Sequence, residues 1–150
     1  MQRPLAYFAM DDLPHYIIRG GAEGKSRLKL LSEALYPYTE AFLKERGLEA
    51  GKSFLDVGCG GGDVSLLASR LVGESGSVTG LDFDAEIIAL AQQDAAAAGA
   101  ANLNFERMSA YDIPYEDAFD FAYARFLLSH LQRPLDVLRR MLRSVRKGGL

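Results

Sequence analysis

The chain is poor in the residues that carry covalent and metal chemistry. It has one cysteine and two histidines in 150 residues. A single cysteine cannot close an internal disulfide, so a reducing, cytoplasmic setting is the expectation. No set of His, Cys and Asp residues falls at metal-ligand spacing, so no metal is expected. No apolar run approaches the length of a membrane span, and the N-terminus lacks the apolar stretch of a signal peptide. The net charge of −3 gives no overall attraction to nucleic acid or to a membrane surface. The one basic cluster, Arg139, Arg140, Arg143, Arg146 and Lys147, has no aromatic residues interleaved and reads as a solvated helix face late in a helix. What remains is a chain with 49% hydrophobic residues, enough for the core of one domain.

The most informative stretch runs from Phe54 to Asp63. Phe54 to Val57 read as a short buried strand that enters a turn containing Gly58, Gly60, Gly61 and Gly62. From Val64 the apolar residues adopt helical spacing, with Leu67, Ala68, Leu71 and Val72 on one face. Strand, glycine turn and helix in succession form a unit that cradles a nucleotide. The dinucleotide fingerprint G-x-G-x-x-G is broken, because Asp63 stands where its third glycine belongs. No Gly-Lys-Ser/Thr closes the turn either, so it is no phosphate-binding loop. An acidic residue at a helix N-terminus is a poor neighbour for phosphate. It suits a nucleoside that carries a cation.

These residues resemble the first motif of the class I S-adenosylmethionine-dependent methyltransferases, read here as Asp56-Val57-Gly58-Cys59-Gly60-Gly61-Gly62. The resemblance covers nearly everything after Gly47. It implies a Rossmann-like, doubly wound α/β fold in which Asp56, Gly58, Cys59, Gly60 and Gly62 hold the methionine part of S-adenosylmethionine. Ser77 to Asp82 read as a second strand, and Asp82 matches the acidic residue that accepts the ribose hydroxyls. Phe83 matches the apolar neighbour of the adenine. Asp84 is expected to cap a helix from Ala85 to about Ala98, ended by Gly99. Asn102 to Arg107 read as a third strand. Aligned on Pro114, Ser109 takes the place of the aspartate that receives the adenine amino group, and the Ala110 backbone reaches the ring; with a shifted loop, Asp112 would serve instead.

Phe119 to Arg125 read as a fourth strand, with Asp120 structural and Arg125 at the end where open α/β sheets place ligands. Arg125 is read either as a contact to the cofactor or an acidic substrate group, or as a surface ion pair. His130 is read first as loop scaffold and second as a general base. Pro134 opens a helix with Leu135, Leu138, Met141, Leu142 and Val145 on one face. Ahead of the core, residues 1–47 are expected to form a helical extension over the opening. Ser26 caps its first helix, Pro37 breaks it, and a second helix runs from about Thr39 to Gly47. Within it, Tyr16 and Arg27 either pack and pair locally or lie over the cofactor's methionine end.

The resemblance implies a full sheet of strand order 3-2-1-4-5-7-6, of which residues 48–150 supply only 3-2-1-4. Lys147-Gly148-Gly149-Leu150 resemble the turn into the fifth strand. Strand four is therefore expected to be a bare edge through which the chain aggregates or forms a homo-oligomer. The function implied is methyl transfer from S-adenosylmethionine to a small-molecule acceptor. Two alternatives share parts of the pattern: a non-catalytic S-adenosylmethionine-binding regulatory module, and a nicotinamide-dependent oxidoreductase.

Overall fold

The computed structural model describes the backbone of residues 21–150 and side chains from residue 30 onward. Tyr16 lies outside the described residues, and of Arg27 only its place in a helix is described. Four parallel strands form one sheet in the order β3-β2-β1-β4: β1 Ser53–Val57, β2 Ser77–Asp82, β3 Leu103–Arg107 and β4 Phe121–Tyr123. Helix α2 Asp63–Val72 connects β1 to β2, α3 Ala85–Ala97 connects β2 to β3, and α4 Pro134–Ser144 follows β4. This is the Rossmann-like arrangement expected of the sequence.

Strand period sorts β1 between two cores. Phe54 packs with Leu67, Ala68 and Val72 of α2 on one face of the sheet. Leu55 and Val57 face the other way, onto Val137 and Met141 of α4. All of these are buried. The same alternation puts Asp56 on the α2 face, where the Ser65 hydroxyl donates to its carboxylate at 2.7 Å. Asp84 caps α3, accepting from the backbone N–H groups of Glu86 and Ile87. Gly99 follows the helix at φ 66°, a left-handed conformation that glycine adopts without a Cβ penalty.

Three expectations are corrected. The first is the break at Pro37: α1 is one helix, Gly21–Glu45, with Pro37 inside it. Proline there removes the bond to the carbonyl four residues back and crowds the preceding turn, at a cost of about 3 kcal/mol. Tertiary contacts on both sides of it hold the helix together: Leu43 joins the core with Phe54, and Ser32 and Thr39 are both buried.

The second correction concerns α4. Its inward face is Val137, Met141 and Ser144, while Leu135, Leu138 and Leu142 are exposed. The leucine stripe is offset by about a third of a turn from the buried one, and counting apolar residues alone merged the two. The basic cluster is also not all solvated at its heads, since Arg140 in α4 donates to the Ile113 carbonyl and Arg146, two residues past the helix, to the Ala118 carbonyl.

The third is the bare edge. β4 spans only Phe121–Tyr123, and residues 145–150 run alongside it. Arg146 N–H donates to the Phe119 carbonyl, Leu150 N–H to the Asp120 carbonyl, and Ala122 N–H to the Leu150 carbonyl. The ladder groups expected to lie open on this flank are satisfied along Phe119 to Ala122. Asp120 pins the start of the strand, accepting from both the N–H and the hydroxyl of Ser53.

Candidate functional site

The carboxyl ends of β1, β2 and β4 open into a cleft beside the glycine turn. Among the described residues its charged lining consists of Asp56, Asp63, Asp82 and Arg125. Gly58, Cys59 and Gly60, expected to hold the cofactor, line it as well, and so does His130, expected first as loop scaffold and second as a general base. Leu31 of α1, Ile87 of α3, Phe126 and Leu127 complete the walls. Sequence reasoning did not anticipate these four, because apolar residues in a helix or loop carry no sign of facing a cleft.

The turn is built by Leu81 and Asp82. The Leu81 carbonyl accepts from the N–H groups of both Gly58 and Cys59 at 2.8 Å. Asp82 Oδ2 accepts from Gly60 N–H and Oδ1 from Asp84 N–H, each at 2.9 Å. Gly62 N–H donates to the Cys59 carbonyl. Four amide donors that an anion would need are therefore committed to the protein's own acceptors. Gly58 has φ 71°, and a Cβ there would lie 3.0 Å from Leu127 Cδ1, so glycine at this position admits the loop that follows β4. Gly62 is excluded from side-chain growth by packing too, with Phe105 Cζ 2.6 Å from a Cβ built on it.

Asp56 is the electrostatic centre of the cleft. Burial pushes its carboxyl from 3.8 up to about 6, against the Ser65 hydrogen bond and the positive charge of Arg125, which pull it down; Asp82 and Asp63 push it further up. Burial also pushes the Cys59 thiol up, so it is held protonated and is no nucleophile. The Arg125 guanidinium reaches away from the strand end to α1: Nη1 donates to Thr39 Oγ at 3.1 Å and Nη2 to Ser32 Oγ at 3.2 Å. Among the described residues it makes no ion pair within bonding distance, and it lies two residues past β4 rather than in it.

Phe83, Ser109 and Ala110 lie outside the cleft lining. Phe83 is an exposed ring just past β2, with the Arg107 guanidinium 5.9 Å above it. Ser109 Oγ accepts from Tyr111 N–H and caps a short 3-10 turn, Ala110–Asp112. Phe126 takes φ 60°, a conformation a bulky residue adopts only when its surroundings over-determine it. The reason is visible in its neighbours. Leu127 must fill the space over Gly58 while Arg125 reaches α1, and the turn between them throws the Phe126 ring out to the cleft's rim.

A parallel 3-2-1-4 sheet with an acidic cleft at a glycine turn defines a Rossmann-like nucleoside-binding fold. The sequence profile of a family described as methyltransferase domain matches residues 54–149, and the chain belongs to that family. It is 39% identical over 108 residues to a demethylmenaquinone methyltransferase of Shouchella clausii, covering 71% of this chain and 46% of the relative. The chain thus spans about half the length of the curated relatives it matches. Among solved structures, a SAM-dependent methyltransferase from Aquifex aeolicus superposes with a TM-score of 0.72 at 29% identity, covering 81% of this chain and 67% of that one. The [4+2]-cyclase SpnF superposes with a TM-score of 0.61 at 26% identity, covering 86% of this chain and 44% of its own. Among the described residues, no helix is long and apolar enough to cross a membrane.

Proposed function

We propose that this chain is the S-adenosylmethionine-binding part of a methyltransferase that acts on a small-molecule acceptor. The observation that carries the reading is the state of the turn. Four of its amides, those of Gly58, Cys59, Gly60 and Gly62, are spent on Leu81, Asp82 and Cys59, which leaves little of a phosphate nest, while among the described residues three carboxylates face the cleft against one guanidinium. A nicotinamide dinucleotide, with its pyrophosphate, fits that arrangement poorly. S-adenosylmethionine fits it, being cationic at its sulfonium and amino group and free of phosphate.

In this reading the buried Asp56 charge favours the amino group of the methionine end. Asp82 uses one acceptor site on each oxygen for the backbone, which leaves a second on each for the ribose hydroxyls. Phe83 offers a flat face to the adenine, and the Ser109–Ala110 turn serves its polar edge. When bound, the cofactor supplies a methyl group already activated on sulfur. The chain's own task is alignment and exclusion of water, which Leu31, Phe126 and Leu127 provide from the cleft's apolar walls. His130 lines the same cleft and is the residue placed to take a proton from an acceptor that must lose one.

The acceptor is assigned to small molecules because the curated relatives are named for a quinone substrate. Residues 1–47 are assigned as a helical cover and residues 48–150 as the cofactor-binding core. Calorimetric titration separates the readings of the cleft. S-adenosylmethionine and S-adenosylhomocysteine should bind with one site per chain and NADH should not; tight NADH binding would overturn the assignment. Turnover to S-adenosylhomocysteine in the presence of quinols distinguishes an enzyme from a regulatory module with the same cleft.

A further inference from the structure

Helix α1 is held on the cleft in an unusual way. It carries a proline in its interior, which removes one hydrogen bond of its ladder. It buries two hydroxyls, Ser32 and Thr39, while Leu30 and Tyr38 are 71% and 73% exposed. Those two hydroxyls stand on either side of Pro37, and both accept from the same guanidinium, that of Arg125. Arg125 therefore splints the helix across its weakest point from the end of β4. It does so from within the cleft, whose wall includes Leu31, the residue beside Ser32. With α1 in this position the cavity measures about 70 Å³. Sites for ligands of nucleoside size and above occupy about 300–1,000 Å³. Helix α1 lends Leu31 to the wall of this cleft, so a ligand that fills it meets the helix that Arg125 holds.

We propose that Arg125 is a latch with two sets of partners: Ser32 and Thr39 of α1, as in this structure, and the carboxylate of the incoming cofactor's methionine end when the cleft is loaded. This rests on the cofactor reading given above. A carboxylate is a stronger partner than a hydroxyl for a planar guanidinium and matches its fork in a bidentate way. The five N–H donors of arginine let the carboxylate be engaged before the hydroxyls are released. Once the splint is gone, α1 is left with its missing hydrogen bond at Pro37 and bends or swings there. The arginine thus couples occupation of the cleft to the position of the helix that covers it. Arg125 acts here as a positioning residue for α1 and as a ligand-sensing one for the cleft.

Hydrogen exchange and calorimetry on the chain test the two halves separately. In the empty chain, Ser32→Ala with Thr39→Val should speed exchange of the α1 amides around Pro37 several-fold. The same double variant should bind S-adenosylmethionine about fivefold or more tightly, because the competing partners are gone. In the parent chain, adding S-adenosylmethionine should speed exchange at those amides. Arg125→Ala should weaken S-adenosylmethionine binding about tenfold or more and leave 5′-methylthioadenosine, which has no carboxylate, unchanged. In the empty chain, Arg125→Ala and Arg125→Lys, both of which lose the fork, should speed α1 exchange as the double variant does.

Slower α1 exchange on loading would overturn the proposal, as would weaker binding by the double variant or equal losses for both nucleosides in Arg125→Ala. If the parent chain binds no S-adenosylmethionine, the cofactor reading fails and the exchange of partners fails with it. If it binds the cofactor but the double variant leaves α1 exchange unchanged, the latch alone fails.

Discussion

Asp56 makes the cleft costly to the fold, and that cost can be measured. Its carboxyl is buried with Ser65 as its one hydrogen-bond donor among the described residues, and its folded pKa stands at about 6 against 3.8 for a free side chain. A raised carboxyl pKa means that the folded state holds the proton more tightly than the unfolded state does. Stability therefore falls as pH rises from the unfolded value to the folded one, the reverse of a salt-bridged aspartate. At 1.36 kcal/mol per pH unit, the rise from 3.8 to about 6 corresponds to a penalty of about 3 kcal/mol above pH 6. Asp56→Asn keeps an acceptor for Ser65 and removes the charge. Urea unfolding of the two proteins should thus give nearly equal stabilities at pH 4. By pH 7.5 the variant should be ahead by up to about 3 kcal/mol, with most of the change between pH 4 and 6. S-adenosylmethionine should bind the variant less well, since the cationic end loses its partner. A variant less stable than the parent at pH 7.5, or a difference independent of pH, would refute the assignment of Asp56 as an uncompensated buried carboxylate.

The other predictions concern the turn and its neighbours. Asp82→Ala removes the acceptors of Gly60 N–H and Asp84 N–H, so it should lower stability by about 2–5 kcal/mol as well as weaken cofactor binding; unchanged urea midpoint and unchanged affinity together would remove Asp82 from the site. Gly62→Ala should cost about 1–3 kcal/mol in thermal or urea unfolding, because its Cβ meets Phe105 Cζ at 2.6 Å and the backbone sits at φ 82°; adding Phe105→Leu should recover part of the loss. Ser109→Asp keeps a side-chain acceptor for Tyr111 N–H, so it should leave the fold intact and cofactor affinity equal or better; a large loss of affinity by calorimetry would place the adenine elsewhere.

The sequence was most readable where one local rule acts alone. β2 has the bounds its apolar run and flanking turn indicate, and α3 starts at the Asp84 cap and ends before Gly99. The switch of period after Gly62 located α2 in the same way. Legibility failed where a tertiary partner decides. Pro37 marks a break by every local criterion, and the helix survives it because Leu43, Ser32 and Thr39 are held from outside. Arg125, expected as the last residue of the fourth strand, lies two residues past β4, and its partners lie 86 and 93 residues away in a helix whose hydroxyls look like surface residues. The α4 stripe shows a third limit. Five apolar residues sit in Leu135 to Leu142, and only the packing partner selects which of them turn inward.

The turn shows how one residue type comes to mean something different from what its motif suggests. Glycine-rich turns are read as anion cradles because their N–H groups converge on a ligand. Here the convergence is directed inward: the β2 terminus supplies the Leu81 carbonyl and the Asp82 carboxylate that a phosphate would otherwise replace. Asp82 is thus structural and exposed to the cleft at once, and its two roles cannot be separated by deleting it. Asp56 presents the opposite case. It contributes one hydrogen bond to the fold and a desolvated charge that opposes it. Phe126 adds a strained backbone at the rim of the same cleft. Unfavourable terms at one end of a sheet that is otherwise well packed point to a ligand that repays them, and a cation beside Asp56 removes the largest. Such a ligand stabilises the folded chain in proportion to its binding free energy. Its sign of charge is therefore written in the protein's stability before any ligand is added.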